Sequence, residues 1–218
     1  MRVVLFGPPA SGKGSQAYLL KDALGVPHLS TGDLLRRVAQ EDSVWGEKVR
    51  AVPVGHFASD DLIVALLQAE LEKPEYNNGV LLDGFPRTQA QAQTMHDMGL
   101  NMDVAIHFCV DEEVLTQRLV NRRVHPQSGR IYNLLTRPPH QEGVDDVTGE
   151  PLVHRDDDRL EVVQQRFEDY RNKTLPAVEW FRRSGIRWID VDGTQDSEVV
   201  FDSIINQLKP TIRAKNAF

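Results

Sequence analysis

The residues from Gly7 to Ser15, GPPASGKGS, have the glycine–lysine spacing of a loop that cradles phosphate. Such a loop turns backbone N–H groups toward an anion at a helix N-terminus, where the helix dipole adds to the attraction. Gly7 and Gly12 supply backbone shapes that a Cβ forbids. Lys13 supplies a point charge for the outer phosphates of a nucleotide. The usual pattern places Ser or Thr directly after this lysine, as a ligand of Mg²⁺. Here Gly14 takes that place and Ser15 follows one position later. GTPases and motor ATPases depend on the direct hydroxyl ligand, so the loop points away from them. A second candidate is Asp83, which closes the apolar run Val80–Asp83. An acid at such a strand end organises Mg²⁺ through waters. The same acid could instead cap a helix or pair with Arg87.

The basic residues divide into 18 Arg and 7 Lys. Arginine grips phosphate with a planar bidentate fork that lysine lacks. A genome rich in arginine codons gives the same bias, so only the positions of the arginines carry information. Phosphoryl transfer needs positive charge around a trigonal phosphoryl group and two in-line oxygens. Positioning and electrostatics do most of that work, so no catalytic His or Cys is expected.

These side chains need a framework, and the sequence supplies alternating strands and helices. Val3–Phe6 reads as a buried strand running into the loop, and Gln16–Leu24 as a helix that ends at Gly25. His28–Ser30, Val80–Asp83, Val104–Val110 and Arg187–Val191 read as further strands. Helices are expected over Asp60–Leu71 with Ser59 as N-cap, from Asp111 as cap through Arg122, over Leu160–Phe181 with a kink or restart at Pro176, and over Asp196–Leu208. The alternation implies an α/β fold with a parallel sheet covered on both faces. Two stretches break it. Residues 30–58 are mostly helical around Pro53 and Gly55, and residues 121–158 are turn-rich, as lids and binding elements are. Thr211–Phe218 reads as a frayed tail.

The 218 residues suggest one domain with insertions. With 40% hydrophobic and 26% charged residues, the chain has an ordinary soluble composition. No apolar run reaches a membrane span, and the first residues read as a strand and not a signal peptide. The net charge of −7 opposes a nucleic-acid partner. Cys109 is the single cysteine, which excludes an internal disulfide and a multi-cysteine zinc site. It reads as a small core hydrophobe within Val104–Val110, and the chain reads as cytoplasmic.

Several motifs together resemble the long-lid adenylate kinases. GKGS opens the series, followed by STGDLLR over residues 30–36 and DGFPRT over residues 83–88. GRIY over 129–132, DDVTG over 145–149, RDDD over 155–158 and DGT over 192–194 continue it in order. The resemblance implies a P-loop fold with a five-stranded parallel core at residues 1–29, 59–120 and 159–218. It implies a monophosphate-binding insertion at residues 30–58 and a hinged lid at residues 121–158. The implied reaction converts Mg·ATP and AMP into two ADP, with Mg²⁺ held mainly through phosphates and waters, in a monomeric enzyme.

By the same resemblance, Arg36 and Arg87 grip the AMP phosphate, Arg118 and Arg122 hold ATP, and Arg155 and Arg166 bridge the transferring group. Arg118 and Arg122 are spaced to share one helix face and one target. Ala10, Ser11, Gly12, Lys13, Gly14 and Ser15 bind ATP in the phosphate loop, Ile131 and Tyr132 are further ATP-binding residues, and Gln195 lies near the ATP base. Thr31, Gly84, Phe85, Pro86 and Gln91 line the AMP site, and His56, Phe57 and Ala58 do so mainly through backbone. Gln91 is expected to read the adenine edge, which an amide can pair as donor and acceptor together. Asp157 and Asp158 hold two arginines in place. Ala10 stands where most relatives have Gly, and Gln195 where many have Lys.

In the lid, His125, Ser128, Asp145 and Thr148 have the spacing of a structural zinc site that some relatives fill with cysteines. Hydroxyls are poor zinc ligands, so a hydrogen-bonded staple without zinc is expected. A GTPase switch would need a direct Lys-Ser/Thr and an N-K-x-D motif, and Asn172-Lys173-Thr174-Leu175 lacks the Asp. A monophosphate kinase for UMP or CMP is the nearest alternative.

Overall fold

The computed structural model describes residues 1–53 and 56–215, with side chains through Pro210. Five parallel strands form the main sheet: β1 (Arg2–Phe6), β2 (His28–Ser30), β3 (Val80–Asp83), β4 (Val104–Cys109) and β7 (Arg187–Asp192). Their spatial order is β2-β3-β1-β4-β7. A separate antiparallel pair joins β5 (Arg122–Val124) to β6 (Ile131–Asn133).

The strands are apolar on both faces because helices cover both. Val3, Leu5, Ile106 and Phe108 point into one layer with α1 (Lys13–Leu24) and α9 (Ser197–Lys215). Val4, Phe6, Leu82 and Ala105 point into the other, which holds α2 (Thr31–Val38), α3 (Val44–Arg50), α4 (Asp60–Leu71), α5 (Gln89–Asp97) and α8 (Leu175–Arg183). Each fully buried Leu or Phe of this sandwich contributes about 1.5–3 kcal/mol. A third cluster, Leu115, Leu119, Val163 and Phe167, joins α6 (Glu112–Val120) to α7 (Leu160–Asp169). Among the described residues, no helix is long and apolar enough to cross a membrane.

Parallel register aligns the carboxyl ends of the strands. Asp83 pairs with Leu5 of β1 and with Ser30 of β2. The loop after β1, the start of α2 and the end of β3 therefore open into one crevice, where an α/β sheet of this kind binds ligands.

Several boundaries differ from the expected ones. The first helix begins at Lys13, directly after Gly12. The helix expected to reach Arg122 ends at Val120, with Asn121 as its C-cap, and Arg122 opens β5. Arg118 and Arg122 thus lie on different elements, and the shared helix face does not exist. Within Leu160–Phe181 the restart expected at Pro176 is present: a π-helical turn over Tyr170–Thr174 separates α7 from α8, and Pro176 sits in the first turn of α8. Cys109 is exposed at the carboxyl end of β4 and is not the small core hydrophobe that the apolar run suggested. The last helix runs past Leu208 and through Pro210 to Lys215, so the expected tail is helical in its backbone up to that point. Residues 216–218, and Gly55 of the mostly helical stretch 30–58, lie outside the described residues.

Candidate active site

The loop between β1 and α1 closes around its own lysine. Lys13 Nζ donates to the carbonyls of Gly7 (2.6 Å) and Pro8 (2.7 Å) and to Ser11 Oγ (3.3 Å). Gly12 caps α1 in a left-handed conformation, φ +98°, with no side-chain cap on the first-turn N–H groups. Ala10 is also left-handed, at φ 61°, the one non-glycine case among the described residues. A Cβ there costs about 1–2 kcal/mol. Its methyl in return packs against the Leu115–Phe167 cluster. Burial, with Arg87, Arg166 and Arg122 nearby, pushes the Lys13 ammonium down to about 8 against the pull of Asp83.

Asp83 lies beside this loop. Burial alone would raise its pKa, but His28, Lys13 and Arg87 hold it below the usual carboxylate range. His28 Nε2 is 3.6 Å from Asp83 Oδ2, and among the described residues the ion pair is with His28 and not with Arg87. A Cβ on Gly14 would stand 4.0 Å from Asp83 Oδ2 and 3.5 Å from Ile131 Cδ1. The tip of β6 therefore rests on the loop. A charged carboxylate and the Ser15 hydroxyl offer the hard oxygen donors that suit Mg²⁺ with its waters and substrate phosphates.

The segment after β3 places Arg87. Gly84 has φ +82°, and a Cβ there would stand 2.6 Å from Thr31 Oγ1 and 3.0 Å from Arg87 Nη2, so only glycine fits. Arg87 Nε donates to Gly84 O (2.6 Å), and its guanidinium lies 4.9 Å from the centre of the Phe57 ring. Thr31, buried, donates to Asp83 O (3.3 Å). Phe85 is buried and precedes a cis peptide to Pro86. His56 is exposed and Ala58 buried.

Gln91 turns inward. Its Oε1 accepts from Arg87 N (2.7 Å) and its Nε2 donates to Asp60 Oδ1 (2.7 Å). Both halves of the amide are engaged, one with the Arg87 backbone and one with Asp60, so an adenine edge would have to displace them. Gln91 is 2% exposed, so it is not part of a solvated polar helix face with Gln89 and Gln93.

The other arginines converge from the insertions. Arg36 (2.6 Å) and Arg155 (3.8 Å) both reach Asp33 Oδ1, which ties residues 30–58 to the end of the lid segment. Arg122 grips Asp158 with both Nε (2.7 Å) and Nη2. Arg166 Nη1 meets Asp157 Oδ2 (2.9 Å) and Asp158 Oδ1 (3.3 Å). Arg118 instead donates to the carbonyls of Gly193 (2.6 Å) and Thr194 (3.2 Å). Gln195 Nε2 donates to Asp192 Oδ2 (3.1 Å) on the same loop.

Lys13, Arg36, Arg87, Arg122, Arg155 and Arg166 thus face one cleft, and Asp33, Asp83, Asp157 and Asp158 are too few to balance them. Burial and then the like charge of Arg166 push Arg87 down to about 10. Burial and then Arg36 and Arg122 do the same to Arg155, again to about 10. Arg166 is lowered for similar reasons. Burial is the largest cause of each shift, and the neighbouring cations add a repulsion that a polyanion would relieve.

The lid segment is built in the opposite way. Asp145 takes both arms of Arg130 (2.8 and 2.6 Å), the Tyr132 hydroxyl (2.9 Å), and the N–H and hydroxyl of Thr148 (2.9 and 3.0 Å). Arg130, with these other donors, holds its carboxyl far below the usual range. His125 meets Ser128 Oγ and Glu150 Oε2, each at 2.7 Å, and Thr148 Oγ1 at 3.3 Å. The residues with zinc spacing therefore meet one another through hydrogen bonds. Tyr132 is spent on this staple, and Ile131, beside it, is the residue of the pair that faces the loop.

Sequence reasoning missed Asp33, Asp60 and His28 as partners of the site. Asp33 stands three residues before Arg36, a helical pair spacing that could have signalled it. Asp60 and His28 meet their partners only through the fold. Residues 5–186 match the family model described as adenylate kinase.

Proposed function

The chain belongs to the adenylate kinase family, phosphotransferases of the nucleoside monophosphate kinase type, and we propose that it moves the terminal phosphoryl group of ATP to AMP, reversibly and with Mg²⁺, giving two ADP. The observation that carries this reading is the crowd of buried cations around Lys13. Two nucleotides bring the negative charge that the cleft lacks.

Lys13 and the N–H groups of residues 10–15 hold the ATP phosphates, and Arg118, by fixing the Gly193–Thr194 carbonyls, shapes the wall for the ATP base near Gln195. Arg36 and Arg87 hold the AMP phosphate beside Thr31 and the Gly84–Pro86 turn. Arg122, Arg155 and Arg166 surround the transferring group, fixed by Asp158 and Asp157. Preorganised cations of this kind act where charge develops in the transition state. Mg²⁺, when bound, neutralises phosphate charge, and Asp83 orders its waters. Residues 30–58 serve as the AMP-binding insertion and residues 121–158 as the lid, on a core of residues 1–29, 59–120 and 159–218. The Asp33–Arg155 contact and Ile131 against Gly14 support a lid that closes on both the insertion and the loop. Closure excludes water, which would otherwise take the phosphoryl group. The lid's hydrogen-bonded staple does the work of a structural zinc. The protein then acts in purine nucleotide and energy homeostasis, as a cytoplasmic monomer.

A panel of acceptors tests the reading. With Mg·ATP, AMP is expected to exceed UMP, CMP and GMP in kcat/KM by at least about tenfold. A preference for UMP or CMP would keep the phosphotransferase and overturn the AMP assignment.

A further inference from the structure

On the far side of the β4–β7 pair from α1 and α9, three side chains meet that phosphoryl transfer does not use. His107 and Cys109 are two residues apart on β4, so they share a face. The parallel register sets Asp190 of β7 directly beside His107. His107 Nδ1 is 3.0 Å from Asp190 Oδ1 and 3.5 Å from Cys109 Sγ, and Cys109 Sγ is 4.0 Å from Asp190 Oδ1.

We propose that His107 Nδ1, Cys109 Sγ and Asp190 Oδ1 form a binding site for a divalent transition-metal ion, Zn²⁺ by preference. Tetrahedral zinc bonds at about 2.0–2.3 Å to nitrogen, oxygen and sulfur, which separates neighbouring ligand atoms by roughly 3.3–3.7 Å. The three observed separations bracket that range, so shifts of a few tenths of an ångström complete the geometry. One imidazole, one thiolate and one carboxylate suit a borderline-soft ion, whereas Mg²⁺ prefers oxygen donors and water.

The surroundings are those a ligated histidine needs. A metal-bound imidazole hands its other N–H to a fixed partner, and His107 Nε2 lies 3.3 Å from the Tyr170 hydroxyl. Tyr170 opens the π-helical turn, a local irregularity that often accompanies a functional site. Asp190 is oriented by the Trp188 indole N–H on Oδ1 (3.0 Å) and by Arg182 on Oδ2. Burial lowers His107 against the pull of Asp190, which favours the neutral imidazole that binds metal. Cys109 is raised by burial and by Asp190, so the ion must displace its proton on binding, as bound metals do. All three residues line a cavity of about 650 Å³ with Pro8, Tyr170 and Leu175, which leaves room for water as a fourth ligand.

Titration of the reduced, metal-free protein with Co²⁺ tests the site without any activity measurement. The chain has one cysteine, so a thiolate-to-cobalt charge-transfer band reports this site and no other. The expected result is one equivalent of Co²⁺ with tetrahedral visible bands and the charge-transfer band, both erased by Zn²⁺. Cys109→Ser should remove the charge-transfer band, and Tyr170→Phe should keep it while weakening Zn²⁺ binding about tenfold. Saturating Co²⁺ without a charge-transfer band in the unmodified protein would overturn the proposal. So would a Zn²⁺ affinity that Cys109→Ser leaves unchanged.

Discussion

The cleft and the lid staple both set arginine against aspartate, yet they handle charge in opposite ways. In the staple each buried polar group has its partner: Asp145 pairs with Arg130, and His125 Nε2 meets Glu150 Oε2. In the cleft the cations crowd together: burial first, and then neighbouring cations, lower Arg87 (Arg166 and Arg36), Arg155 (Arg36 and Arg122) and Arg166 (Arg122 and Arg36). A balanced group holds structure, because removing one partner strands the other. An unbalanced group costs the free protein stability, and a ligand of opposite sign recovers that cost. Residue types alone do not separate these cases, whereas the pairing does.

The contrast is open to attack from both sides. Arg87→Ala should lower kcat/KM by about 10²–10³, roughly 3–4 kcal/mol of transition-state stabilisation. The melting temperature of the free protein should hold or rise, since Arg166 and Arg36 lose a like-charged neighbour. A variant with near-normal turnover and a sharply lower melting temperature would reverse the assignment. Asp145→Asn should do the opposite. It strands Arg130 and loosens Tyr132 and Thr148, so melting falls by several degrees while turnover well below that temperature changes far less than in Arg87→Ala.

Lys13 sharpens the comparison through pH. Its pKa falls from 10.5 to about 8 in the folded protein. Below pH 8 the lysine is charged in both folded and unfolded chains, so the full penalty of burying it is present. From about pH 8 to 10.5 the unfolded chain holds more protons, and this lysine's contribution to stability rises with pH. ATP affinity should fall over the same range as the ammonium loses its proton. Denaturant midpoints and ATP titrations from pH 7 upward, each compared with Lys13→Met, check both slopes; parallel curves would remove Lys13 from the phosphate site. The smallest effect belongs to Ala10→Gly. Relief of the left-handed strain, about 1–2 kcal/mol, opposes the lost methyl packing of about 0.8 kcal/mol and the added glycine entropy of about 0.5–1 kcal/mol. The net change in unfolding free energy should stay within about 0.8 kcal/mol of zero.

Much of the fold was legible because its signals are local. The strand, loop and helix around Lys13 follow one another directly, and each central strand is a short apolar run. The motif arginines were legible as a set, but their partners were not. Gln91 meets Asp60 across 31 residues, and Arg122 meets Asp158 across 36. Arg122 misled most, since no Gly or Pro marks the helix end at Val120 and the pattern reads on unbroken. His107 and Asp190 come together only through the β4–β7 register, so no local pattern could join them to Cys109. Ala10 signalled an unusual loop, although not that its φ would be positive.

The most direct test of the central claim is to incubate the protein with ADP alone, with Mg²⁺ and then with chelator, and separate the nucleotides by chromatography. Equal amounts of ATP and AMP, formed only when Mg²⁺ is present, are the expected result. No ATP or AMP from ADP with Mg²⁺ present would contradict the claim that the arginine-lined cleft transfers a phosphoryl group between two adenine nucleotides.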